Sequence, residues 1–161
     1  MRIFTDASTS GRVSGIAFVI TDNQHNIILK KEKPLLEVDN NFAELAAILF
    51  ALEELPETHE QIIILSDSQY ALSCIQQNHS RKFEKPTLDL IKYHLTGKQW
   101  TSMWIKGHKN DGTMLSTFNR EADHMASHAR KTYVLMRRKE KYRKQQLLKQ
   151  SKLINQGVQY E

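Results

Sequence analysis

The sequence predicts an α/β fold, a mixed sheet with helices packed on its faces. Two observations carry this. Three β-rich segments near the N-terminus are joined by short connections, and a later apolar run, IIIL at 62–65, passes at once into a helix-like run. A block of strong helix formers lies between them. Strands alternating with helices in this way point to a layered α/β arrangement.

The elements follow in chain order. Residues 2–6 (RIFTD) read as a short strand, and 13–20 (VSGIAFVI) as a second. HNIILKKEK at 25–33 is a third strand that turns polar. The short links, including Asp22-Asn23, predict an antiparallel meander. Residues 41–55 (NFAELAAILFALEEL) are helix formers stopped by Pro56. A strand at 61–66 and a helix near 68–77 come next. Pro86 suits a helix start, and that helix runs to about residue 96. WTSMWIK at 100–106 alternates like a strand, with Trp100 and Trp104 on its core side. Residues 107–118 read as a loop that Gly107 and Gly112 leave free to move. Asn119 is a helix cap, and NREADHMASHARKTYVLM forms the last helix of the body.

The 161 residues are 40% apolar and 25% charged, which fits one domain with a real core plus an appendage. No stretch approaches the roughly 20 apolar residues of a membrane span, so no membrane partner is expected. The N-terminus, MRIFTDAS, enters a strand without a signal-peptide layout, and a cytoplasmic protein is expected. Cys74 is the single cysteine, which excludes an internal disulfide framework and a cysteine zinc site. Charge is unevenly spread. Residues 1–129 hold 13 Lys/Arg against 16 Asp/Glu, and residues 130–161 hold 10 against 2. A mildly acidic body thus carries a basic tail. From about 131 to 152 that tail lacks Pro and Gly, so it is able to continue the last helix. Such a segment either attracts a polyanion by counterion release or is a solvated helix without a partner.

Four acids stand in unexpected places. Asp6 and Asp67 each end a strand, and adjacent parallel strands would bring both to one sheet edge, where α/β sheets bind ligands. Glu44 shares a helix face with Ile48, Ala51 and Leu55. Asp123 falls in the first turn of the last helix, beside Ala122, Met125, Ala126 and Ala129. Read singly, Glu44 and Asp123 are explained by the favourable field at a helix start, about 0.3–1 kcal/mol. Together in one cleft, four acids would need cations. An all-oxygen shell suits Mg²⁺ or Mn²⁺ better than zinc. The chemistry such a cluster serves is two-metal phosphoryl transfer, one ion activating water and the other stabilising the leaving oxygen.

These residues, in this order, resemble the ribonuclease H family, type 1. The matching segments are IFTDAS, NNFAELAAILFAL, ILSDSQYAL, WIKGHKN and NREADHMA, within residues 1 to about 130. The resemblance implies a ribonuclease H-like fold, a five-stranded mixed sheet flanked by helices, with residues 1–130 as catalytic domain and 131–161 as a basic helical extension. It implies hydrolysis of the RNA strand of RNA–DNA hybrids, leaving 3′-hydroxyl and 5′-phosphate ends. Asp6, Glu44, Asp67 and Asp123 would bind two Mg²⁺, with Mn²⁺ as substitute, and His108 would assist water activation or product release. Asn40, Asn41 and Gln69 match hybrid-contacting positions. Amides suit 2′-hydroxyls and base edges. Asn40 and Asn41 are equally able to cap their helix. Ser8 and Ser68 are candidates for backbone contacts.

The departures are informative. The first motif reads Asp-Ala-Ser where many relatives have Asp-Gly-Ser. The span from Asp67 to His108 is too short for the basic helix and loop that some bacterial members use as a substrate handle, and no N-terminal hybrid-binding module is expected. The tail, with Arg137, Arg138 and Lys141, is expected to take over that task. No protein partner is evident, and a monomer is expected. Two alternatives remain open: a DNA-cutting nuclease of the same fold, and a catalytically weak module that only binds nucleic acid.

Overall fold

The structure, a computed structural model, describes residues 1–157; the last four residues of the expected extension, 158–161, lie outside the described residues. The chain divides into two units, Met1–Arg130 and Lys131–Glu161. The first unit is built on a five-stranded sheet in the order β3-β2-β1-β4-β5. Strands β1 (Arg2–Ser10), β2 (Val13–Thr21) and β3 (Ile27–Leu36) form the antiparallel meander. Strands β4 (Ile62–Ser66) and β5 (Trp100–Trp104) add in parallel beyond β1. The mixed sheet read from the sequence is therefore present.

Helices α1 (Asn40–Glu54), α2 (Gln69–Gln77) and α3 (Lys85–Leu95) cover one face. Their core includes Ile3, Phe18, Leu45, Ile48, Ile64, Leu72 and Ile91. The opposite face packs Phe4, Val19 and Leu65 against Phe118 and Ala122 of α4 (Met114–Gly157). Alternation along β1 explains the two layers: Ile3 enters one core and Phe4 the other, as the period of two requires. Both are fully buried, worth about 1.5–3 kcal/mol each. Gly15 permits the close approach of β2 to α4, because a Cβ there would overlap the Ala126 carbonyl oxygen.

The structure corrects several expectations. Strand β1 continues to Ser10, so Asp6 lies inside it, paired with Ala17 of β2, and does not end it. Only the parallel pairing with β4 stops earlier, at Phe4–Leu65. Helix α4 begins at Met114, not at Asn119. Thr113 Oγ1 accepts the Ser116 N–H at 3.2 Å and starts the helix there. Asn119 is buried inside the helix, and Asp123 lies more than two turns in, away from the helix-start field. The loop after β5 is accordingly shorter, residues 105–113. The N-cap of α1 is Asp39, whose carboxylate accepts the Phe42 N–H at 2.8 Å; neither Asn40 nor Asn41 caps it. Trp104 is 48% exposed and not core, because β5 is an edge strand. No helix among the described residues is long and apolar enough to cross a membrane.

Candidate active site

Asp6 and Asp67 each lie two residues past the last parallel β1–β4 pair, Phe4–Leu65. The register thus brings both carboxylates to one sheet edge. The second turn of α1 adds Glu44 from the face that also buries Ile48 and Ala51. One carboxylate oxygen from each of Asp6, Glu44 and Asp67 lies within 4.8 Å of the others. They line a cleft of about 400 Å³. Asp123 reaches the same cleft from α4, outside that close triad, and its carboxylate helps raise the Asp6 pKa. His108 lines it from the loop after β5, with Nδ1 3.7 Å from Asp123 Oδ2. Its backbone φ is 55°, in the left-handed region.

The electrostatics are those of crowded acids. Burial, then the Asp67 and Asp123 carboxylates, push Asp6 up from 3.8 to about 8. Burial, then the Asp6 and Asp67 carboxylates, hold Glu44 well above its ordinary value. Asp67 is also raised by burial, with His108 working against the shift and Asp123 adding to it. Asp6 is 5% and Glu44 4% exposed, and Glu44 Oε2 is buried without a hydrogen-bond partner. A buried unpartnered carboxylate oxygen is costly unless a cation meets it. The donor set is all oxygen and anionic, so it fits a hard divalent cation.

The other sequence candidates divide. Asn40, Asn41 and Ser68 line the cleft. The Ser68 hydroxyl is committed to α2, where it accepts the Ala71 N–H at 3.1 Å. Gln69 is exposed as the first residue of α2 and does not line the cleft. Ser8 does not line it either. Its hydroxyl accepts from Arg130 Nε at 3.0 Å and lies 3.3 Å from the Ser127 hydroxyl. Arg137, Arg138 and Lys141 are exposed on the second unit.

Three residues to which sequence reasoning gives no part in the site support it. Trp104 Nε1 donates to the Asp67 carbonyl oxygen at 3.0 Å and anchors that backbone. Gly107 leaves room for the Asp67 carboxylate, which a Cβ would overlap. Arg81 donates to Asp39 Oδ2 and Oδ1 at 2.6 and 2.9 Å and to Glu84 Oε1 at 3.0 Å. Glu84 is fully buried and also accepts from the Tyr70 hydroxyl, and Tyr70 lines the cleft. The WIKGH motif holds the first two. Arg81 and Glu84, three apart in the polar run RKFE, carry no signal.

The profile of the RNase H family matches residues 1–131. The chain belongs to the RNase H family. Solved structures of similar fold include LC11-RNase H1, isolated from compost by a metagenomic approach, in complex with an RNA/DNA hybrid. It is 21% identical with a TM-score of 0.67, covering 83% of this chain and 98% of that one. RNase H1 of the halophilic archaeon Halobacterium salinarum is 19% identical, TM-score 0.66, covering 80% and 95%. The N-terminal RNase H domain of a Mycobacterium tuberculosis protein is 15% identical, TM-score 0.70, covering 84% and 96%. At these identities the likeness establishes the RNase H fold. The family profile ends at residue 131 and leaves the basic tail outside it.

Proposed function

We propose that this RNase H-family chain is a metal-dependent endoribonuclease that hydrolyses the RNA strand of RNA–DNA hybrids. The observation that carries the reading is the carboxylate triad with its orphaned Glu44 Oε2. Asp6, Glu44, Asp67 and Asp123 would hold two Mg²⁺, with Mn²⁺ as substitute. Bound divalent ions supply a water of lowered pKa and offset charge on the leaving oxygen. In the reaction, a water oxygen adds to phosphorus, the P–O3′ bond breaks, and the departing O3′ takes a proton. A 3′-hydroxyl and a 5′-phosphate result.

The chain's own groups have distinct tasks. The sheet edge holds Asp6 and Asp67 in fixed register, so no reorganisation is needed at the moment of reaction. His108 lines this cleft from a loop, and Nδ1 facing Asp123 is the atom that would hand a proton on. Asn40 and Asn41 at the exposed rim are suited to hydrogen-bond 2′-hydroxyls and base edges, the features that distinguish RNA. Gln69 and Ser68, at the start of α2, are proposed to extend that contact. Ser8 is a weaker contributor because Arg130 already uses its hydroxyl.

The test is replacement of single acids. Asp6→Asn and Asp67→Asn are expected to abolish cleavage while hybrid binding persists. Full activity in either variant would remove the assignment.

A further inference from the structure

The second unit is helical from Lys131 through Gly157, and its side chains are sorted by charge. Placed at roughly 100° per residue, Lys131, Arg137, Arg138, Lys141, Lys144, Lys149 and Lys152 fall within an arc of about 140°. All seven are exposed. Glu140 is the one acid between Arg130 and Tyr160, and it lies off this arc, paired with Arg137 at 3.3 Å. The opposite side carries Leu135, Met136, Tyr142, Leu147, Leu153 and Ile154, all exposed. Leu148, exposed, and Val134, half-buried, are the exceptions, lying inside the basic arc.

A basic amphipathic helix has three possible occupants: a bilayer, a second copy, or a polyanion backbone. The apolar side decides against the first two. Lys139 and Arg143 project from its middle and break the stripe that a bilayer or a helical partner requires. The basic side has no such interruption by an acid. It runs about 22 Å from Arg137 to Lys152, long enough to follow several phosphates. The other unit is mildly acidic overall.

We propose that the basic arc of residues 131–152 is a nucleic-acid phosphate-binding surface that holds the hybrid independently of its sequence. The proposal rests on the RNase H reading for the choice of substrate, not for the chemistry of the arc. It extends the contact set from Arg137, Arg138 and Lys141 to Lys144, Lys149 and Lys152. Phosphate contacts of this kind add affinity without base preference.

Two double variants of the full chain with equal charge loss test the arc. Lys141→Gln/Lys144→Gln removes charge from it, and Lys139→Gln/Arg143→Gln removes the same charge from the other side. Binding of a fluorescent RNA–DNA hybrid and of a DNA duplex is measured in EDTA across KCl concentrations, with thermal melts confirming the fold. The on-arc variant is expected to lower the salt slope by about 1.8, from roughly 0.9 per lost contact, on both duplexes. The off-arc variant is expected to lower it by less than half as much. Equal losses in the two variants, or no loss in either, overturn the proposal. So does on-arc-dependent binding to phosphatidylglycerol vesicles with unchanged nucleic-acid binding. Hybrid cleavage is followed separately. Cleavage with an unchanged slope sinks the arc alone, and a reduced slope without cleavage sinks the RNase H reading alone.

Discussion

Gly107 packs against the Asp67 carboxylate so closely that a single added methyl would overlap Asp67 Oδ2. The backbone angle there is not what demands glycine; space is. The clash is with the movable end of a side chain, so the fold can yield by swinging Asp67 aside. The site cannot, because Asp67 would then leave the triad.

Gly107→Ala is therefore expected to cut hybrid cleavage by about 10²-fold, the usual cost of an ångström-scale misplacement. The melting temperature is expected to move by only a few degrees. Steady-state kinetics beside a thermal melt checks both. Large unfolding with cleavage retained in the folded fraction would contradict this account of Gly107.

Metal removal separates repulsion from ligation. In EDTA, Glu44→Gln is expected to melt higher than wild type, because a buried carboxyl crowded by Asp6 and Asp67 is costly in either protonation state. Saturating Mg²⁺, at about a hundred times its Kd, is expected to stabilise wild type by about 2.7 kcal/mol. The variant's gain should be smaller. Calorimetry with and without Mg²⁺ decides, and a wild-type melt indifferent to Mg²⁺ would count against the cluster as a metal site.

Arg81→Ala strands a buried carboxylate, since Glu84 is fully enclosed and keeps only the Tyr70 hydroxyl and the backbone N–H of residue 81. Because Arg81 is 36% exposed and water screens the pair, the cost is expected to be about 1–3 kcal/mol. Urea denaturation is expected to show a loss of that size. Adding Glu84→Gln should recover part of it, because the uncompensated charge is then gone. A loss under about 1 kcal/mol would show that the network matters little to stability.

Acid unfolding carries a signature of Asp39. The Arg81 hydrogen bond, followed by the Phe42 N–H, lowers it from 3.8 to about 2. A group depressed by folding contributes stability that is present above its unfolded value and lost as pH falls through its folded value. The Asp39 contribution is thus expected to fade between about pH 4 and pH 2. Urea midpoints across that range should fall less steeply in Asp39→Asn than in wild type, and parallel curves would refute the assignment.

Much of this site is legible in the chain itself. Asp67 announces itself by following IIIL, and Glu44 by interrupting an apolar helix face. Both signals are local, and periodicity finds them. Asp123 is found through its motif, yet its helix starts at Met114, ahead of the expected Asn119. Asn119 is a good cap type by composition, but it is buried in the helix interior. The earlier start is held by two threonines. Thr113 receives the Ser116 N–H, and the Thr117 hydroxyl donates to the Thr113 carbonyl oxygen at 2.9 Å. Several cap types in one loop leave the start open to a local reading, and in the fold Phe118 packs against Phe4 from inside the helix.

The α1 cap shows the limit more sharply. Asp39-Asn40-Asn41 offers three suitable caps in a row, and Asp39 takes the role while also receiving Arg81 from 42 residues away. Trp104 alternates as a core residue should, yet β5 closes the sheet on one side and leaves it half in solvent. Sheet order and long-range ion pairs are properties of the assembled chain, and no local pattern encodes them.

The most direct test of the central claim is cleavage of an end-labelled RNA–DNA hybrid in Mg²⁺, Mn²⁺ or EDTA, beside RNA–RNA, DNA–DNA and single-stranded RNA. The account predicts cutting in either metal, none in EDTA, and products from the RNA strand of the hybrid alone with 5′-phosphate ends. Cleavage that survives EDTA, or that falls equally on the DNA strand, would contradict it.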